Sequence, residues 1–146
     1  MAEPEKLKAL FGIHDDNLRE NLACIFPALF ANMDSVFVPT LDDMIRRMLE
    51  GSTITTDNPT GSLYHNPFGL YVLDANLGRE GKVDIDPFKR FYRFVWVDYH
   101  SEKVGIIPIS NNPNLQESII TEFGIQCLFK NQVQAAISDY LNKPSQ

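Results

Sequence analysis

Phe88-Lys89-Arg90-Phe91-Tyr92-Arg93-Phe94-Val95-Trp96-Val97-Asp98-Tyr99 gathers six aromatic residues, the only Trp of the chain among them. Aromatic and β-branched residues suit a pleated surface, so the composition predicts a strand. Side chains of a strand alternate between faces, which sends Tyr92, Phe94 and Trp96 one way and Phe91, Val95, Val97 and Tyr99 the other. Both faces are then largely apolar and both need cover, from this chain's helices or from a partner. Trp96, in mid-strand, is expected to be packed, and its replacement by Ala to cost roughly 3–5 kcal/mol.

Working outward, Leu63-Tyr64, Leu70-Tyr71-Val72-Leu73 and Val104 through Ile109 are further β-type runs, with His100-Ser101-Glu102-Lys103 as a hairpin connection and a Gly-rich turn between Asp74 and Lys82. The centre therefore reads as an antiparallel meander. Before it, Leu7, Leu10 and Phe11 suggest a short helix stopped at Gly12. Asp15 or Asp16 caps a second helix carrying Leu18, Leu22, Ile25, Phe26, Leu29, Phe30 and Met33, which Pro27 should kink or split. Thr40 and Asp43 have capping spacing for a third, with Leu41, Met44, Ile45, Met48 and Leu49 on one face and Gly51 at its end. The polar segment 52–62 is a loop. After Asn112-Pro113-Asn114, apolar residues from Leu115 to Leu141 argue for C-terminal helices divided at Gly124. The expected fold is one α+β domain over residues 1–146: an antiparallel sheet of three to four strands flanked by N-terminal helices and a C-terminal helical segment.

Composition narrows the function. A chain of 146 residues, 44% hydrophobic and 22% charged, is long enough for a core that needs neither disulfide nor metal. Its net charge of -6 repels phosphate backbones and anionic lipid, so neither nucleic acid nor membrane is an expected partner. Cys24 and Cys127 sit in apolar patterns and read as buried reduced thiols. Neither a signal-peptide pattern nor an apolar run of ~18 residues is present, and a cytoplasmic protein is expected.

Residue types able to carry chemistry give weak patterns. Arg90 through Val97 overlays the basic, aromatic and Phe-Val positions of a ribonucleoprotein strand, but Phe91 and Arg93 stand where small residues let bases stack. The stretch from Asn76 to Asp86 looks superficially like a calcium loop, yet that register supplies Asn76 first and Pro87 last in place of carboxylates. His65, His100 and Asp98 could meet at strand ends, but isolated turn histidines are the simpler reading. No catalytic residue, metal site or cofactor is therefore assigned. The apolar excess suggests a non-enzymatic interaction or assembly subunit whose expected partners are other protein chains, chiefly further copies of itself. Met44, Met48, Tyr71, Tyr92, Phe94, Trp96, Tyr99 and His100 are its candidate interface residues. The alternative is a small-molecule or enzymatic pocket under helices, lined by Tyr71, Tyr92, Trp96 and His100.

Overall fold

The computed structural model describes residues 6–51, 53–55, 63–65, 67–77 and 84–142. Its elements run β1 (Leu7–Gly12), α1 (Asp16–Leu29), β2 (Met33–Val38), α2 (Leu41–Gly51), β3 (Thr53–Thr55), β4 (Leu63–His65), β5 (Leu70–Asp74), α3 (Asp86–His100), β6 (Gly105–Ile109), α4 (Pro113–Phe123), a 3₁₀ turn at Lys130–Gln132 and α5 (Val133–Leu141). The calcium-loop-like stretch lies largely outside the described residues, as does most of the 52–62 loop.

The aromatic stretch is a helix. Phe88, Phe91 and Val95 are buried, at the i, i+3, i+7 spacing of one helical face, and Tyr92 and Tyr99 pack beside them. Lys89, Arg90 and Arg93 fall on the other side. Pro87, in the first turn, costs no hydrogen bond there and presets the helical φ. Period 3.6 thus overrides the β-propensity of the individual residues. Leu7–Gly12 departs in the opposite sense: it is a strand, and so short an apolar run is compatible with either structure until its neighbours are known. Met33–Val38, assigned partly to the end of a helix by sequence, is a strand too.

With those changes strands alternate with helices, and the sheet is parallel. β1 pairs in parallel with β2 and with β5, and β5 pairs in parallel with β6, giving the order β2-β1-β5-β6. The expected α+β fold with an antiparallel meander is therefore corrected to α/β; the one antiparallel pair among the described residues is the small β3-β4 ribbon. Beside β6, Leu128 makes a single parallel bridge to Ile109, so the segment before Lys130 occupies a fifth strand position. Leu128 N–H donates to Pro108 O at 2.9 Å and Ser110 N–H to Leu128 O at 2.8 Å.

Alternation in the buried strands fills two cores. Leu10, Tyr71, Leu73 and Ile106 face α2, α3 and α4, where they meet Met44, Met48, Phe88, Phe91, Val95 and Ile119. Ala9, Phe11, Leu70 and Val72 face α1 and α5, against Leu22, Phe26, Val133 and Ile137. Such a sheet needs apolar residues on both sides, and β5 is buried at every position. Caps behave as their spacing predicts. Asp15 Oδ1 accepts from Leu18 N–H at 3.1 Å, Thr40 Oγ1 from Asp43 N–H at 3.1 Å, and Gly124, at φ 68°, closes α4. Pro27 lies in the last turn of α1, which continues unsplit to Leu29.

Candidate functional site

β1 has one neighbour that precedes α2 and another that follows it, so the chain reverses its direction of winding between β1 and β5. In a doubly wound sheet that reversal opens a crevice at the carboxyl ends of the strands. β5 ends there on Asp74, a carboxylate only 4% exposed. Burying an ion is costly unless it is paired and hydrogen-bonded. His14, just beyond β1, donates its backbone N–H to Asp74 Oδ2 at 2.9 Å, and Lys130 Nζ stands 3.7 Å from Oδ1.

Each neighbouring strand end adds to the crevice. Ser110, directly after β6 and 5% exposed, accepts Asn112 N–H on its hydroxyl at 3.0 Å and Gln116 Nε2–H on its carbonyl at 2.7 Å. Asn112 caps α4 by accepting Asn114 N–H at 2.9 Å. Asn111 Oδ1 accepts Lys130 N–H at 3.0 Å, which ties the loop after β6 to the residue that carries the ammonium. An open cavity of about 650 Å³ results, lined by His14, Asp74, Asn76, Ser110, Asn111 and Lys130 among others. Its chemistry is that of a buried carboxylate facing one ammonium and amide and hydroxyl groups, suited to a small polar, charged group.

Beneath it, burial first and the Asp74 charge second push the Cys127 thiol from 9.0 up to about 12. On the β1 side, Arg19 Nη1 donates to the carbonyls of Ile13 and His14 at 3.0 and 3.2 Å and the guanidinium pairs with Asp16. The Leu18 N–H holds the Asp15 carboxyl below its ordinary 3.8.

None of the eight residues singled out by sequence lines this cavity. Met44, Met48 and Tyr71 have no exposed surface and belong to the chain's own core. Tyr92, Phe94, Trp96, Tyr99 and His100 lie on α3, where Tyr92 Oη and His100 Nε2 are 3.0 Å apart and Trp96 is 50% exposed. Tyr71 is thus separated from the Tyr92, Trp96 and His100 edge, and these four do not enclose a pocket. Cys127 is buried, in extended rather than helical chain, whereas Cys24 is exposed on α1.

Of Asp74, Ser110 and Lys130, the sequence reading placed Asp74 at the start of a turn, passed over Ser110 and left Lys130 within the segment read as C-terminal helices. A signal for them does exist: Leu70–Leu73, Gly105–Ile109 and Cys127–Phe129 are three apolar runs, each followed directly by a residue able to ionise or hydrogen-bond. Once the strands are parallel, those three positions fall at one edge of the sheet.

No family model matches the sequence, and no curated protein is significantly similar to it. Solved structures match in shape. The signal receiver domain of an HD domain-containing protein from Pseudomonas fluorescens Pf-5 superimposes with a TM-score of 0.63 at 12% identity, over 97% of this chain and 90% of that one. The bacteriophytochrome response regulator AtBRR gives 0.62 at 16% identity, over 98% of each chain. The signal receiver domain of the response regulator NarL from Mycobacterium tuberculosis gives 0.53 at 12% identity, over 96% of this chain and all of that one (100%). At such identities the likeness is one of architecture, and the four-stranded parallel sheet wrapped by helices on both faces has the fold of response-regulator receiver domains.

Proposed function

We propose that this chain is a signalling domain of the receiver type in which Asp74 accepts a phosphoryl group. The observation that carries the reading is Asp74 itself: a buried carboxylate at the carboxyl end of a central parallel strand, opening on a polar cavity and faced by Lys130. The likeness to receiver domains supports it and turns the argument away from an assembly subunit or a pocket enzyme. Part of the apolar excess that suggested self-association lies inside the molecule, where α3 buries Phe88, Phe91 and Val95 and α2 buries Met44 and Met48.

Carboxylates serve as nucleophiles when an adjacent charge and a dry setting organise the attack. Oδ1, the oxygen on the Lys130 side, attacks phosphorus; an O–P bond forms, the donor's bond from phosphorus to its leaving oxygen breaks, and with acetyl phosphate the electron pair departs on acetate. No proton needs to move. His14 N–H keeps the carboxyl oriented through Oδ2, while the Lys130 ammonium offsets charge on the incoming phosphoryl oxygens. The Ser110 hydroxyl lines the same cavity and offers a hydrogen bond to a third group. A domain of this kind would pass its state to another protein, a role that suits a net charge of -6 better than nucleic-acid contact does. Exposed Trp96, with Tyr99 and His100 beside it, is the candidate surface for such a partner. No helix among the described residues is long and apolar enough to cross a membrane.

The test is incubation with acetyl phosphate followed by intact-mass spectrometry. The expected product is a single phosphoryl adduct that is labile to hydroxylamine and absent from Asp74→Asn. An adduct that persists in Asp74→Asn, or none in the parent, refutes the assignment.

A further inference from the structure

Phosphoryl transfer generally relies on a hard divalent cation, and magnesium takes near-octahedral oxygen ligands with one or two carboxylates beside the phosphate. The residues around Asp74 make a different donor set. Where β1 ends opposite Asp74, the next side chains are Ile13, fully buried in the α1-side core, and His14. Ile13 offers no side-chain oxygen. The first carboxylates after the strand turn into α1, Asp15 capping it through Leu18 N–H and Asp16 paired with Arg19. Two peptide carbonyls at this point, Ile13 O and His14 O, could have served as hard ligands, but both accept from Arg19 Nη1. The Arg19 side chain is 19% exposed and permanently charged, and Lys130 Nζ stands 3.7 Å from Asp74 Oδ1. Among the described residues, no three His, Cys, Asp or Glu side chains gather as metal ligands.

We infer that the Asp74 pocket works without a divalent cation, its charge being met by Lys130 while Ile13 and His14 stand where the end of β1 would have to supply further carboxylates. A dication entering beside Asp74 would meet like charge from the Lys130 ammonium and would find no side-chain oxygen on Ile13 or His14 to complete its shell. The inference deepens the receiver reading and rests on it for the identity of the group that Asp74 accepts, while the statement about cations concerns this donor set alone.

Two measurements on the full chain test it separately. In the first, Mn²⁺ is titrated into the parent and into Asp74→Asn and followed by electron paramagnetic resonance of the free ion. The expected result is that the two titrations coincide into the millimolar range; a saturable site in the parent that Asp74→Asn abolishes overturns the inference. In the second, acetyl phosphate is supplied with excess Mg²⁺ or with EDTA. Equal rates of adduct formation support a metal-free site, and a rate at least tenfold higher with Mg²⁺ overturns it. Absence of an adduct under both conditions defeats the phospho-acceptor reading, and the Mn²⁺ titration still decides the question of the cation.

Discussion

Asp74 draws together the chemistry of its neighbours, and Cys127 reports on it. The thiol is 7% exposed and lies close enough to the carboxylate to feel its charge, so its ionisation is opposed first by burial and then by like charge. Only a thiolate reacts rapidly with a disulfide reagent. With its pKa raised to about 12, Cys127 should stay silent toward such a reagent in the native protein near neutral pH, while exposed Cys24 reacts. Absorbance on adding an aromatic disulfide checks this: one thiol is expected to titrate in buffer and two after denaturation. The sign for stability follows from linkage. The folded state holds the Cys127 proton more tightly than the unfolded state does, so this group's contribution is complete below 9.0 and declines as pH rises toward about 12. Replacing Cys127 by Ala should flatten that part of the profile, and an unchanged alkaline slope would refute the assignment.

At the scale of the element, α3 shows why the fold class was hard to read. Counting apolar residues in alternation gives a strand with two greasy faces; counting them at three and four gives Phe88, Phe91, Tyr92, Val95 and Tyr99 on one side. Asp86-Pro87 ahead of the run was the discriminating local signal, because Pro is welcome in a first helical turn. Asp15, Thr40 and Gly124 each mark the boundary their chemistry predicts, whereas Gly12, read as a helix stop, ends a strand. β1 pairs through all six residues with β2 and through Ala9–Gly12 with β5, strands remote in sequence, a fact no local pattern holds. The corrected register reverses the expectation for Trp96. Being half exposed, it should tolerate Ala with a change of roughly 0.5 kcal/mol, whereas Phe91→Ala, deep in the core against Tyr71 and Phe88, should cost about 3–5 kcal/mol. Urea unfolding of both variants decides between helix and strand, since a strand packed on both faces demands a large loss at Trp96.

For the whole molecule the two cores are separate in contacts but joined through shared strands. β1 contributes Ala9 and Phe11 to one and Leu10 to the other, and β5 contributes Leu70 and Val72 against Tyr71 and Leu73. Neither layer of helices can leave without uncovering a face of the same sheet, and a parallel sheet exposed on one face has no polar alternation to offer water. The site sits at one edge of this arrangement, so His14, Asp74, Ser110 and Lys130 keep their spacing only while both layers are in place. Unfolding should therefore be a single cooperative step. Phe26→Ala, in the α1-side core, and Phe91→Ala, in the α3-side core, should each lower stability by about 3–5 kcal/mol, and their effects should add in the double variant because they lie on opposite faces with no shared side-chain contact. Trp96 fluorescence samples the α3 face, while far-ultraviolet circular dichroism samples every helix. Coincident urea transitions by the two probes are expected in the parent and in both single variants. If Phe26→Ala instead moved the dichroism transition and left the fluorescence transition in place, the layers would be unfolding independently, and the sheet could not be coupling the α1 side to the site.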